Sequence, residues 1–129
     1  AAYNLRALEG RRMSEIAKIA VIGSGAMGRG IAQSAVLAGY PVVLNDLSQD
    51  LVQMAREKIT QSIDKGVEQG KTTPENAQAA AARLTISAEL ADSYEADLVI
   101  EAIPENLDLK RSLFAASVRL PAQRSVRVR

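Results

Sequence analysis

The stretch Val21-Ile22-Gly23-Ser24-Gly25-Ala26-Met27-Gly28-Arg29-Gly30 constrains this chain more than any other. Four glycines fall within eight residues. Glycine loses more backbone freedom on ordering than any other residue and weakens helices and strands, so such a cluster marks a backbone that some other group must approach closely. Ahead of it, from Ile16 to Ile22, only Lys18 interrupts an apolar run, as in a strand buried on both faces of a parallel sheet. Behind it, Ile31, Ala35 and Ala38 recur at helical spacing until Gly39, a natural stop. Gly30 reads as an extension of the close helix–strand packing.

The alternation continues along the chain. Pro41 leads into Val42-Val43-Leu44, a short strand ending at Asn45-Asp46. Ser48 is placed to cap a long helix, on which Leu51, Ala55, Ile59, Ile63 and Val67 draw one apolar stripe. Thr73-Pro74-Glu75 starts a second, alanine-rich helix running to about Ala82. A short strand over 83–87, a small helix over 88–92 and an apolar strand over 97–103 follow, closed by Pro104. A last helix is expected from about Asn106, with Leu109, Leu113, Phe114 and Val118 inward. Strands alternating with helices predict an α/β fold, a doubly wound parallel sheet with a helical hairpin inserted between strands 2 and 3.

Gly23, Gly25 and Gly28 fit the pattern G-x-G-x-x-G at the turn from a buried strand into a helix. In that setting the first glycine permits the tight turn, the second lets a pyrophosphate reach the backbone, and the third lets helix and strand pack closely. The helix N-terminus then offers unpaired N–H groups and a positive dipole end to the phosphates. Ser24, Ala26 and Met27 complete the loop. Asp46 lies 18 residues beyond Gly28, near the spacing of the carboxylate that takes adenosine ribose hydroxyls. Its charge would repel a 2′-phosphate, so NAD is expected over NADP. The alternative for Asp46 is a turn residue that starts the next helix. No Gly-Lys-Ser/Thr follows the loop, which excludes a P-loop.

Composition narrows the chemistry. A chain of 129 residues with net charge +1 and 47% hydrophobic residues suits one ordinary globular domain. There is no cysteine, hence no disulfide framework, which suits a cytoplasmic location. There is no histidine, which removes the commonest general base and the commonest metal ligand, so no catalytic and no metal-ligating residue is assigned. No stretch approaches the length of a membrane span, and no membrane partner is expected. Residues 1–13 read as a leader or extraneous extension. Residues 111–129 carry five arginines and no Asp or Glu, which raises nucleic-acid binding as an option. Without aromatics between those arginines that option is set aside, and no nucleic-acid partner is expected.

From about Lys18 to Phe114 the chain resembles the NAD-binding domain of the 3-hydroxyacyl-CoA dehydrogenase family. The resemblance rests on IAVIGSGAMGRGIAQ, on AGYPVVLND, on the long helical insertion, and above all on ADLVIEAIPENLDLKRSLF, of which EAIPENLDLK (Glu101 to Lys110) is the most specific part. It implies a Rossmann-type domain over residues 14–114 with NAD as cofactor. It implies that Asp46 holds the adenosine ribose and that Glu105 and Lys110 approach the nicotinamide ribose. On their own these last two read as a first-turn acid facing a helix dipole and an exposed helical lysine. The resemblance also implies coenzyme A binding along the helical hairpin, with Ser62 at a contact position; Lys65 and Lys71 are nearby but unassigned.

The reaction so implied is the reversible oxidation of an L-3-hydroxyacyl-CoA by NAD, a step of fatty acid metabolism with an acyl-CoA substrate. Family members use a His–Glu pair for the hydroxyl proton, and this chain has no histidine to match it. After Phe114 the chain leaves the family pattern as a basic tail over 115–129, read as a frameshift or truncation, which leaves the sheet incomplete at its C-terminal end. Ser125 to Arg129 alternates like a strand, yet the family's next strand is interior, where two arginines would be costly. The helical domain that carries substrate binding and dimerisation is absent, so a homodimer is expected only when that domain is present. The expectation is therefore the cofactor-holding portion of such a dehydrogenase, inactive alone. The alternative is a non-catalytic NAD-binding or structural protein, as with the lens crystallin that resembles this family.

Overall fold

A computed structural model describes residues 17–103 and the backbone of 124–127. The glycine-flanked apolar run forms strand β1 (Ile19–Ile22), followed by helix α1 (Ala26–Leu37) and strand β2 (Val42–Asn45). The inserted hairpin is α2 (Gln49–Glu68) and α3 (Pro74–Arg83). Strand β3 (Leu84–Ser87), a 3₁₀ turn (Leu90–Ser93), strand β4 (Leu98–Glu101) and strand β5 (Arg124–Arg127) complete the order.

The strands pair in parallel in the order β3-β2-β1-β4-β5. From β1 the chain winds outward one way through β2 and β3, then returns to add β4 on the other side. That reversal puts a topological switch point between β1 and β4, and ligands of open α/β sheets bind outside the carboxyl ends of strands at such a point. β5 continues the sheet beyond β4, in the region where the alternation of Ser125 to Arg129 raised a strand.

All four residues of β1, β2 and β4 are buried, as expected of strands covered on both faces. Ile19 and Val21 face the helical layer with Ile31, Ala35 and Val36 of α1 and Ala55, Ile59 and Ile63 of α2. Ala20 and Ile22 face the opposite side with Val43, Val99 and Ile103. The stripe on α2 runs through Val52 rather than Leu51, which is 45% exposed. A strict four-residue repeat drifts off a 3.6-residue helix, and Val52 lies where the stripe continues. Ala38 is likewise exposed, as the C-cap of α1 rather than a core position.

Local signals place the helix ends. The Ser48 and Thr73 hydroxyls accept from Leu51 N and Asn76 N, capping α2 and α3. Gly39, with φ +106°, closes α1: its N–H donates to Val36 O while Tyr40 N–H donates to Ala35 O. The helix expected from Asn106, with its inward residues, lies outside the described residues.

Candidate functional site

The glycines of the loop differ in what a side chain would meet. Gly23 has φ +109°, and a Cβ there would lie 2.3 Å from the Ala102 carbonyl oxygen just beyond β4. A Cβ on Gly28 would lie 1.7 Å from the Gly23 carbonyl oxygen. Both positions bring backbone against backbone, so the loop is pressed onto the ends of β1 and β4. Gly25 is the opposite case: among the described residues nothing lies within 4 Å of a Cβ built there, and the residue is exposed. Gly30, expected to extend the close packing, also meets nothing within 4 Å. It sits on the exposed side of α1, so its lack of a side chain serves no contact among the described residues.

Gly25 is the N-cap of α1 and offers no side-chain acceptor, unlike Ser48 and Thr73 on the next two helices. Among the described residues, the N–H groups of the first turn of α1 have no side-chain cap and lie beside an open backbone surface. That surface suits an anionic group: donors point out, and the helix dipole favours negative charge.

Asp46 stands next to the loop. Its Oδ2 accepts the Ser24 backbone N–H at 2.8 Å and also the Ser24 hydroxyl, while its Oδ1 accepts Leu47 N–H at 2.7 Å. Twenty-two residues apart in sequence, Ser24 and Asp46 thus tie the end of β2 to the turn after β1. Arg29 holds the same loop residue from the other side, donating from Nη1 to the Ser24 carbonyl at 3.2 Å. Beside Asp46 an apolar slot of about 90 Å³ opens between Ile22, Leu47, Ala88, Leu90 and Ile103. Its far wall is tethered by buried Asn45, whose Nδ2 donates to the Glu89 carbonyl at 2.6 Å.

Gly23, Ser24, Gly25, Ala26, Met27, Gly28 and Asp46 therefore converge at the switch point. Ser62 does not join them. It lines a separate cleft of about 390 Å³ between α1 and α2 with Lys65, Lys71, Gln33 and Thr72. Glu105 and Lys110 lie outside the described residues. Sequence reasoning missed Arg29, Leu47 and Asn45 as parts of the site. Only the position of Leu47, one residue after the strand-end carboxylate, carried a signal for it. Among the described residues no group of three His, Cys, Asp or Glu is placed to hold a metal, and no helix is long and apolar enough to cross a membrane.

Residues 18–126 match the family described as 3-hydroxyacyl-CoA dehydrogenase, NAD binding domain. The chain belongs to that family. The match runs past Phe114, where the resemblance by motif stops, and takes in most of β5. NAD is the cofactor of this 3-hydroxyacyl-CoA dehydrogenase domain, and the open Gly25 surface beside a carboxylate is a cradle of the kind a dinucleotide needs.

Among similar proteins, a probable 3-hydroxybutyryl-CoA dehydrogenase of Bacillus subtilis is 35% identical over 106 residues, 82% of this chain and 37% of its own length. The 3-hydroxyadipyl-CoA dehydrogenase of Escherichia coli is 39% identical over 103 residues, 80% of this chain and 22% of its own. The crystal structure of an (S)-3-hydroxybutyryl-CoA dehydrogenase from Ralstonia eutropha superposes with a TM-score of 0.79 at 31% identity, covering 87% of this chain and 40% of that one. The chain thus spans well under half the length of these relatives.

Proposed function

We propose that this chain is the cofactor-holding part of an NAD-dependent 3-hydroxyacyl-CoA dehydrogenase that oxidises an L-3-hydroxyacyl-CoA to the 3-ketoacyl-CoA in fatty acid oxidation. The observation that carries this reading is the open Gly25 backbone at the uncapped start of α1, set beside the Asp46 carboxylate. The bare Gly25 backbone and the first N–H groups of α1 would hold the pyrophosphate. Leu47, Leu90 and Ile103 would line the place of the adenine, and Asp46 would accept a hydroxyl of the adenosine ribose. Glu105 and Lys110, which lie outside the described residues, are assigned to the nicotinamide ribose by the family resemblance alone. NAD, when bound, supplies the hydride acceptor.

The coenzyme A portion of the substrate lies in the second cleft, where the Ser62 hydroxyl, Lys65 and Lys71 offer donors to its phosphates. The proton of the substrate hydroxyl needs a base, and the 129 residues hold no histidine. In this reading that base and the acyl pocket lie outside these 129 residues, which bind NAD without turning over hydroxyacyl-CoA.

The experiment is a calorimetric titration of the chain with NADH, paired with an assay of NADH formation from 3-hydroxybutyryl-CoA and a longer homologue. Saturable binding with no turnover is the expected pair of results. No heat and no saturable fluorescence change up to millimolar NADH contradicts the cofactor reading. Turnover near ~1 s⁻¹, the low end for ordinary enzymes, contradicts the assignment of the base elsewhere.

A further inference from the structure

Ser24 carries the sole polar side chain between Gly23 and Gly28, and the residue is only 6% exposed. Its hydroxyl points at Asp46, the same carboxylate that its backbone N–H already reaches. A carboxylate has about four lone-pair sites, two on each oxygen. Both sites of Oδ2 are taken by Ser24, and one site of Oδ1 is taken by Leu47 N–H. Among the described residues one acceptor site remains, on Oδ1.

We propose that Ser24 is a positioning residue for cofactor selection: its hydroxyl locks the Asp46 carboxylate so that Oδ1 alone receives a ribose hydroxyl and the charge is held against a 2′-phosphate. This deepens the NAD reading above and rests on it. The terminal torsion of an Asp side chain is broad and about two-fold, so geometry must come from hydrogen bonds rather than from a rotamer well. Three donors from two different turns supply it here. Without the hydroxyl, Oδ2 keeps a single backbone donor, and rotation of the carboxylate spreads its charge away from the ribose. The Ser24 hydroxyl touches no cofactor in this scheme; it acts through Asp46, which distinguishes it from the backbone groups of the loop that meet the pyrophosphate.

The test uses the 129-residue chain, its Ser24→Ala and Asp46→Ala variants, and the double variant, each titrated with NADH and NADPH and each melted without cofactor. The unmutated chain is expected to prefer NADH. Ser24→Ala is expected to reduce that preference about threefold to tenfold, the scale of one lost hydrogen bond, and to lower the melting temperature by a few degrees. In the Asp46→Ala background the same replacement is expected to leave the NADH to NADPH ratio where it was. That pattern is one a purely structural serine does not produce. A preference that survives Ser24→Ala intact, or a shift of equal size with and without Asp46, overturns the proposal. Equal affinity of the unmutated chain for both cofactors instead overturns the underlying reading of Asp46, and the role of Ser24 with it.

Discussion

Gly28 and Gly23 meet so closely that a Cβ on Gly28 would sit 1.7 Å from the Gly23 carbonyl oxygen. Since the obstacle is backbone, no side-chain rotation relieves it. Gly28→Ala must push α1 away from the end of β1, and is expected to destabilise the chain by ~3 kcal/mol, the upper range for overpacking. Urea unfolding without cofactor checks this; a midpoint equal to that of the unmutated chain contradicts the packing described for the loop.

Asp46 links cofactor choice to loop shape. Asp46→Ala is expected to weaken NADH binding by ~1–3 kcal/mol, the scale of a hydrogen bond to a charged group. Discrimination against NADPH should relax in the same titrations, because the charge that opposes a 2′-phosphate is gone. An unchanged NADH dissociation constant contradicts the ribose assignment.

Asn45 is 3% exposed, and its amide holds the Glu89 carbonyl across the slot. Asn45→Ala removes a partner from a carbonyl at the far wall and is expected to cost ~1–2 kcal/mol. Because the effect is on a contact rather than on the extent of unfolding, the urea midpoint should fall with an unchanged m-value. Affinity for AMP, which reports on the adenine slot without the second phosphate, should fall as well.

The strand–helix alternation, the hairpin between β2 and β3 and the caps at Ser48 and Thr73 were legible in the sequence, because each is written within a few neighbouring residues. The roles of Gly23 and Gly28 as close-packing positions were legible for the same reason: a loop that must touch its own backbone needs glycine at fixed offsets. The bonds from Ser24 and Arg29 were not, since they join groups whose meeting depends on how β1, β2 and α1 pack. Leu51 falls off the buried stripe that Ala55, Ile59 and Ile63 hold, because a repeat of four drifts on a helix of 3.6 residues per turn and Val52 takes its place. Gly30 shows no close packing among the described residues, because a glycine beside a close-packed glycine shares its composition without sharing its surroundings.

The central claim is that Gly25 is bare so that a pyrophosphate can reach the start of α1, and Gly25→Val tests it most directly. Among the described residues nothing lies within 4 Å of a Cβ at this position, and its φ of −68° with ψ of −173° is extended backbone open to any residue. The replacement therefore separates folding from binding. Calorimetric titration with NADH, run beside a thermal melt, should show a stability within about 0.5 kcal/mol of the unmutated chain, as for ordinary surface changes, and no saturable binding. A Gly25→Val chain that binds NADH with unaltered affinity contradicts the account.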